Sequence, residues 1–220
     1  MLFRSGSIEM FRSDFINNFS HEFKTPIVSI RGFARQLQND NLSTIKRKEY
    51  TDIIISESNR LTNMSANILV LTKFENQRII TDQTEYELDE QIRNCIILLE
   101  NQWSTKNIEI NLNLDTTKIY GNKEMLSHLW INLIENAIKN SKDNGNITIE
   151  CHETLDDIQF KISNAGNGMD DNTLKHIFDK FYQGDRSHTS PGNGLGLSIV
   201  KRLVELNKRS EETRLNSSHK

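Results

Sequence analysis

Residues 123–141 read KEMLSHLWINLIENAIKNS and predict one long helix with two different faces. Apolar residues recur three and four positions apart, as on the buried side of an amphipathic helix. These residues are Leu126, Leu129, Leu133 and Ala137, flanked by Trp130, Ile134 and Ile138. The other side carries Asn132, Asn136 and Lys139 at the same helical spacing. We expect the apolar face to lie in a core, whereas the polar stripe is either an ordinary solvated surface or part of a ligand site.

Short strands are predicted on both sides of this helix, because apolar and polar residues alternate there. They are a first strand at Tyr86 and Leu88, then IEINLNL (108–114), NITIECHE (146–153) and DIQFKISNAG (157–166). An amphipathic helix is predicted directly after the first strand. Helices that lie between strands in this way favour a two-layer α/β sandwich.

The first part of the chain is predicted to be a helical hairpin. Two apolar stripes with helical spacing are separated by the turn-forming segment NDNLST, in which Ser43 or Thr44 is a plausible N-cap. The first stripe consists of Phe11, Phe15, Phe19, Phe23, Ile27, Ile30, Ala34 and Leu37. The second consists of Tyr50, Ile54, Leu61, Met64, Ile68 and Leu71, with the charged Glu57 at the same spacing. A lone hairpin buries only one side of each helix, so we expect two copies to pair into a four-helix bundle.

The composition excludes several classes of protein. The 220 residues include 27 basic and 30 acidic ones, so the chain lacks the basic footprint of a nucleic-acid-binding protein. Cys95 and Cys151 lie far apart and outside metal-ligand spacing, and we expect two buried, reduced thiols. No apolar run approaches the ~20 residues of a membrane span.

Two glycine-rich segments indicate a site that handles phosphate. NAGNGM (164–169) directly follows a predicted strand, and GNGLGLSIVKRLVEL (192–206) opens a predicted helix. Glycines in such places let backbone N–H groups approach an anion, which a helix N-terminus also favours. The Walker pattern GxxxxGK[ST] is absent, and no strand–GxGxxG–helix unit occurs near the start. Neither a P-loop enzyme nor a Rossmann domain is therefore indicated.

Five motifs, in order, resemble those of the sensor histidine kinases of two-component systems. They are FSHEFKTPI (19–27), NLIENAIKN (132–140), NAGNGM (164–169), IFDKFYQGD (177–185) and GNGLGLSIVK (192–201). They look like the H, N, G1, F and G2 boxes of that family, and the resemblance runs from about Phe11 to Leu206. It implies a HisKA-type dimerisation and phosphoacceptor domain, followed by a GHKL-type ATP-binding domain.

The resemblance gives three residues of the H box a role. His21 would be the phosphoacceptor that attacks the γ-phosphate of ATP, and Glu22 the acidic neighbour that orients it or takes its proton. Thr25 would help a water molecule to attack the phosphorylated response regulator. Pro26 cannot donate to the helix ladder, so we expect a kink just after the active turn.

The other boxes imply a site for ATP and Mg²⁺. Asn136 would be the ligand of Mg²⁺, which holds few protein ligands and keeps waters and phosphate oxygens around it. The nucleotide-binding residues implied are Asn132, Asn136, Lys139, Asn164, Gly166, Gly168, Phe181, Gly192, Gly194 and Gly196. Phe178 and Phe181 resemble the aromatic pair that anchors a mobile ATP lid at residues 182–193.

Three positions depart from the family pattern. Asn164 stands where the family has an aspartate, and we expect weaker binding of adenine because an amide oxygen accepts its hydrogen bond without charge assistance. Asn140 replaces a common aromatic residue, and Gln183 a common arginine. Lys180 or Arg186 would supply the missing positive charge, and the sequence does not decide between them.

The implied domains are the hairpin at residues 1–75, a linker at 76–84 and the ATP-binding domain at 85–206. The family's closing β-hairpin is not recognisable after Leu206, so we expect an incomplete domain, a non-native tail at 207–220, and a dimeric chain that is a poor kinase. The implied partners are a second copy of the chain and the receiver domain of a cognate response regulator, without nucleic acid. This region would be cytoplasmic, and the parent protein would reach the bacterial inner membrane through a missing N-terminal region.

Three functions remain open at this point. The first is an ATP-dependent protein-histidine kinase that also has phosphatase activity toward its response regulator. The second is an ATPase of the gyrase, chaperone or MutL type, and the third is a truncated, non-catalytic dimerisation module. The segment FSHEFKTP favours the first over the second, because those ATPases have no phosphoacceptor helix before the nucleotide domain.

Overall fold

A computed structural model describes the backbone of residues 3–77, 79–155, 157–184 and 192–218. Side chains are described for residues 16–77, 79–155, 157–184 and 192–207. The chain divides into two compact units, Met1–Leu69 with Asp179–Leu195, and Val70–Phe178 with Gly196–Lys220. All strands of the described residues belong to the second unit.

Two long helices dominate the first unit, which confirms the predicted hairpin. Helix α1 spans Phe3–Leu37 and helix α2 spans Thr44–Asn76. The hydroxyl of Ser43 accepts the backbone N–H three residues later at 3.3 Å, so Ser43 is the N-cap of α2. The rings of Phe33 and Tyr50 pack together across the hairpin, with their centroids 5.1 Å apart.

Pro26 does not end α1, which continues to Leu37. The proline is fully buried. Because it has no N–H, the carbonyl oxygen of Glu22 receives no helix hydrogen bond from position 26. The kink that the sequence suggests at this point stays a prediction.

The apolar stripes of the hairpin are unequally shielded in the single chain. None of the seven stripe residues of α2 is exposed, whereas Ile27 and Ala34 of α1 are exposed. Further large apolar side chains that are exposed on the two helices are Ile16, Val28, Ile45, Ile55 and Leu69. The hairpin therefore presents a substantial apolar surface.

The second unit is an α/β fold, as predicted. Its elements are β1 (Thr84–Glu87), α3 (Leu88–Leu98), α4 (Glu100–Thr105), β2 (Glu109–Leu114), β3 (Lys118–Gly121), α5 (Lys123–Asn140), β4 (Asn146–Glu153), β5 (Ile158–Asn164), α6 (Asp171–His176) and α7 (Gly196–Ser218). Strands β1 and β3 form an antiparallel pair. Strands β2, β4 and β5 form a sheet in that order, in which β4 is parallel to β2 and antiparallel to β5.

The core of this unit is built around α5, which contacts α3, α7 and β5. Ile147, Ile149 and Cys151 alternate along β4 and are fully buried, as expected for one face of a strand. The helices contribute Ile92, Met125, Ile134, Ile199, Leu203 and Leu206, which are also fully buried. This packing fixes α5 and the start of α7 relative to each other.

Several details differ from the sequence prediction. Leu88 is not part of the first strand but begins α3, and its N–H donates to the carbonyl oxygen of Thr117 at 2.9 Å. The helix predicted after that strand is broken at Leu99 into α3 and α4. Strand β3 and helix α6 are absent from the sequence prediction. Helix α7 continues past Leu206, and the predicted domain limits, including the non-native tail, stay predictions.

Within the described ranges, no helix combines the length and the apolar character needed to cross a membrane.

Candidate functional site

Helix α5 carries the predicted polar stripe on a well-anchored backbone. The side-chain oxygen of its N-cap, Asn122, accepts the N–H of Met125 at 2.8 Å. Asn132 is buried, and its Nδ2 donates to the carbonyl oxygen of His128 at 2.7 Å. This bond fixes the amide group of Asn132 and leaves its oxygen available to another element.

Gly196, the first residue of α7, lies directly against Asn132. A Cβ atom at position 196 would be 2.8 Å from Asn132 Oδ1, which is closer than side chains approach in real structures. With a Cβ at this position, the amide of Asn132 would have to leave the place that its bond to His128 gives it. This contact brings the G2 segment to the middle of the N-box helix.

Gly166 lies against the C-terminal end of the same helix. A Cβ atom there would be 2.6 Å from the carbonyl oxygen of Asn140. The N–H of Lys142 also donates to the carbonyl oxygen of Ala165 at 3.4 Å. Both glycine-rich segments are thus seated on α5, one beside Asn132 and the other beside Asn140.

Asn136 and Lys139 lie between these two contacts. Asn136 is half-buried, and its Oδ1 accepts a hydrogen bond from Asn140 Nδ2 at 3.0 Å, which leaves one lone pair for a ligand. Lys139 is half-buried, and desolvation lowers the pKa of its ammonium group. Among the described residues this ammonium has no hydrogen-bond or ion-pair partner. A half-buried cation without a partner is suited to an anionic ligand.

The G1 segment continues β5 into an open surface. Asn164, Gly166 and Gly168 are all exposed, and the N–H of Gly166 donates to the carbonyl oxygen of Asn164 at 3.1 Å. Gly168 has a φ of +71° and open space around its Cα. The predicted contact face for a base and sugar is therefore accessible.

The segment before α7 folds back on itself within the first unit. The N–H of Phe181 donates to the carbonyl oxygen of Gly194 at 2.8 Å, and both residues have positive φ, +64° and +65°. Gln183 Nε2 donates to the carbonyl oxygen of Gly192 at 3.2 Å. The two ends of the predicted lid are therefore held together, while Arg186 lies outside the described residues.

The acceptor turn of α1 is exposed to solvent. His21 is exposed, and its imidazole has no hydrogen-bond partner among the described residues. The Thr25 hydroxyl is also exposed and donates to the carbonyl oxygen of His21 at 3.3 Å. Glu22 Oε2 instead accepts a hydrogen bond from Arg60 Nη2 of α2 at 2.8 Å. The imidazole of His21 is therefore open to solvent, whereas the carboxylate of Glu22 is bound to the second helix.

Arg60 is a residue that the sequence analysis does not identify. Its side chain and that of Glu22 are only 20% and 17% exposed, so this is a largely shielded, charge-assisted hydrogen bond. The only signal in the sequence is a basic residue on a helix predicted to pair with α1. The separation of 38 residues conceals the contact.

The predicted site residues divide between the two units. Those in the first unit are His21, Glu22, Thr25, Phe181, Gly192 and Gly194. Those in the second are Asn132, Asn136, Lys139, Asn164, Gly166, Gly168, Phe178 and Gly196. Of the two candidates for the missing positive charge, Lys180 is exposed and belongs to the first unit.

Two family models match this chain. Residues 11–77 match HisKA, the His Kinase A (phospho-acceptor) domain. Residues 121–218 match HATPase_c, the histidine kinase-, DNA gyrase B-, and HSP90-like ATPase. The order of the two matches is the order that the five motifs predict.

Among curated proteins, the heme sensor protein HssS of Staphylococcus aureus (strain MSSA476) is 29% identical over 201 residues. The match covers 91% of this chain and 43% of HssS, so the chain spans less than half the length of the curated relatives it matches.

Solved structures of histidine kinases share the fold. The catalytic domain of histidine kinase ThkA is 27% identical with a TM-score of 0.51, covering 57% of this chain and 81% of that one. ThkA in complex with the response regulator TrrA is 22% identical with a TM-score of 0.70, covering 93% and 59%. Acinetobacter baumannii histidine kinase AdeS is 20% identical with a TM-score of 0.65, covering 84% and 86%.

Proposed function

Because this chain belongs to the sensor histidine kinases, with a HisKA domain followed by a HATPase_c domain, we propose that it phosphorylates itself on His21. The phosphoryl group comes from ATP and then passes to an aspartate of a response regulator. The parent protein is a membrane sensor whose cytoplasmic part includes this region. An ATPase of the gyrase or chaperone type is disfavoured, because the phosphoacceptor domain precedes the nucleotide domain.

The observation that carries this proposal is the seating of both glycine-rich segments on α5. Gly196 and Gly166 lie against Asn132 and Asn140, so the main chain of two glycine-rich segments closely approaches one stretch of helix that carries amide side chains. The half-buried ammonium of Lys139 lies within that stretch. This arrangement supports the binding of a phosphorylated nucleotide, which needs a cation, backbone donors and close approach of the main chain.

The residues of the acceptor turn supply the chemistry. A lone pair on an imidazole nitrogen of His21 attacks the γ-phosphorus while the bond to the β–γ bridging oxygen breaks and ADP leaves. The exposed imidazole is suited to that attack, because a nitrogen of a neutral imidazole is a nucleophile. Glu22 lies next in the chain and accepts or orients the proton of the imidazole.

The site also fits Mg²⁺. Asn136 would hold the ion through Oδ1, which keeps one lone pair after accepting from Asn140. A bound Mg²⁺ neutralises charge on the phosphate oxygens. The residues of α5 then need only position the nucleotide, and Lys139 belongs to the same stretch of that helix.

A second copy of the chain is the partner that the hairpin supports. The exposed apolar residues of α1 and α2, among them Ile27 and Leu69, would be covered when two hairpins form a four-helix bundle. The further partner is the receiver domain of a response regulator, reached by the exposed turn that carries His21 and Thr25.

The direct test is to incubate the protein with Mg-ATP and to map the phosphate. Phosphohistidine is stable in alkali and labile in acid, so peptides are prepared at high pH and sequenced by mass spectrometry. Phosphate on the peptide that contains His21 supports the proposal. A protein that dimerises and binds no ATP would be a non-catalytic dimerisation module instead.

Asn136→Ala should weaken the binding of ATP in the presence of Mg²⁺ by about tenfold, because one ligand of the metal is lost. Binding of ATP without Mg²⁺ should change little. Titration calorimetry with and without Mg²⁺ measures both quantities. Asn146→Ala is the control, since Asn146 is an exposed asparagine at the start of β4. Equal Mg-ATP affinity of the two variants would contradict the assignment.

Thr25→Ala should impair dephosphorylation of the response regulator by about tenfold or more while leaving autophosphorylation within about twofold. The hydroxyl is exposed and is proposed to position a water molecule, not ATP. Decay of a labelled response regulator and labelling of the kinase are measured separately. Thr25→Ser, which keeps the hydroxyl, should restore the phosphatase. A matching loss of both activities in Thr25→Ala would point to a structural role for the bond to the His21 carbonyl.

A further inference from the structure

Lys106, in the connection between α4 and β2, binds the C-terminal end of α5. Its ammonium donates to three backbone carbonyl oxygens, those of Ile138, Lys139 and Ser141, at 3.0, 3.1 and 3.1 Å. The main chain of Lys106 is anchored as well, because its carbonyl oxygen accepts the N–H of Asn144 at 2.8 Å. One side chain thus binds three of the carbonyl oxygens at the end of the helix, where the regular helical hydrogen bonds stop.

The position of the Lys106 ammonium matters because the same helix is proposed to bind a phosphorylated nucleotide. The C-terminal end of an α-helix carries a partial negative charge, which repels an anion within about one turn. Asn136 and Lys139 lie in the last two turns of α5, so a bound triphosphate would approach the unfavourable end of the helix. Without Lys106 and without a metal ion, the ammonium of Lys139 would have to offset both the phosphate charge and the helix end.

The geometry of the G1 segment depends on the same turn. The carbonyl oxygen of Asn140 lies between two of the carbonyls that Lys106 binds, and Gly166 is seated against it. Any rotation of this peptide group would move the surface on which Gly166 rests. Lys106 is therefore connected to the nucleotide site in two ways, through charge and through the shape of the turn.

We propose that Lys106 is a positioning residue for the nucleotide, which neutralises the C-terminal end of α5 and holds the turn that seats Gly166. This inference rests on the proposed function. The charge of Lys106 acts on the phosphates, so the triphosphate should depend on Lys106 more strongly than the base and sugar do. A residue that only stabilised the fold would affect all ligands of the site alike.

The test measures the affinity of Lys106→Met for ATP, ADP and AMP by displacement of a fluorescent ATP analogue, without Mg²⁺. We expect the Kd for ATP to rise roughly five- to tenfold, that for ADP less, and that for AMP by less than about twofold. Lys106→Arg keeps the cation and should remain within about twofold of the wild type for all three. Lys118→Met removes an exposed lysine of β3 and controls for the loss of one charge elsewhere in the domain.

Thermal melting of each variant separates a folding defect from a binding defect. If Lys106→Met does not fold, Lys106→Gln, which retains two donors without the charge, should show the same order of losses. Wild-type protein that binds no ATP would refute the proposed function itself. Wild-type binding with an unchanged variant, or with equal losses for ATP and AMP, would overturn the role of Lys106 alone.

Discussion

His21→Gln should abolish the transfer of phosphate from ATP to this protein. A glutamine amide nitrogen has no nucleophilic lone pair, so the phosphoryl group has no acceptor at position 21. Nucleotide affinity should stay unchanged, because the residues seated around α5 lie elsewhere in the chain. The measurement is retention of radiolabel from γ-labelled ATP on a gel run under alkaline conditions, together with a binding titration.

The control for this substitution is Lys24→Gln. Lys24 is exposed and follows His21 by three positions on the same helix, so its loss perturbs the same surface. It should retain labelling within about twofold of the wild type, since it is given no part in the chemistry. Label that persists on His21→Gln would show that another residue accepts the phosphate.

Gly194→Ala should reduce nucleotide binding and autophosphorylation at least about tenfold. Its backbone has a φ of +65°, which costs an alanine roughly 1–3 kcal/mol. A Cβ atom would also be 2.5 Å from the carbonyl carbon of Phe181 and 2.7 Å from the carbonyl oxygen of Tyr182. These are backbone atoms, so the clash can be relieved only by moving the main chain of Phe181 and Tyr182, where the predicted lid begins.

Gly168→Ala separates the clash from the backbone conformation. Gly168 also has a positive φ, +71°, but nothing lies within 4 Å of a Cβ atom there. Its alanine variant should therefore lose only the stability that the conformation costs, which is less than Gly194→Ala loses. The two variants are compared by melting temperature without nucleotide. Equal losses of stability would mean that crowding at Phe181 adds nothing to the cost of Gly194→Ala.

The elements that sequence predicts well are those in which a regular pattern of apolar and polar residues extends over many consecutive positions. Helix α5 has five turns of regular apolar spacing, and the alternation in β4 persists over its whole length, so tertiary contacts need not decide either. The glycine-rich segments are identified because glycine is required there by close approach. Ser43 is found because a serine before a helical run has a defined capping role.

The elements that sequence misses exist through distant partners. Strand β3 has only four residues and is a strand because Ile119 pairs with Tyr86 of β1. Leu88 alternates correctly for a strand, but its N–H is taken by Thr117 and the chain turns into α3 there. The contact of Arg60 with Glu22 depends on the packing register of two helices. Local composition carries no information about such pairings.

The contact between Asn132 and Gly196 also constrains how the protein can evolve. A side chain at position 196 fits only if the amide of Asn132 rotates away or the residue at 132 becomes smaller, and either change gives up the bond to the His128 carbonyl. A substitution at either position alone passes through a less fit intermediate, so selection should preserve the two positions as a pair. Among descendants of this gene, alanine at position 196 should be inherited together with a shortened side chain at position 132.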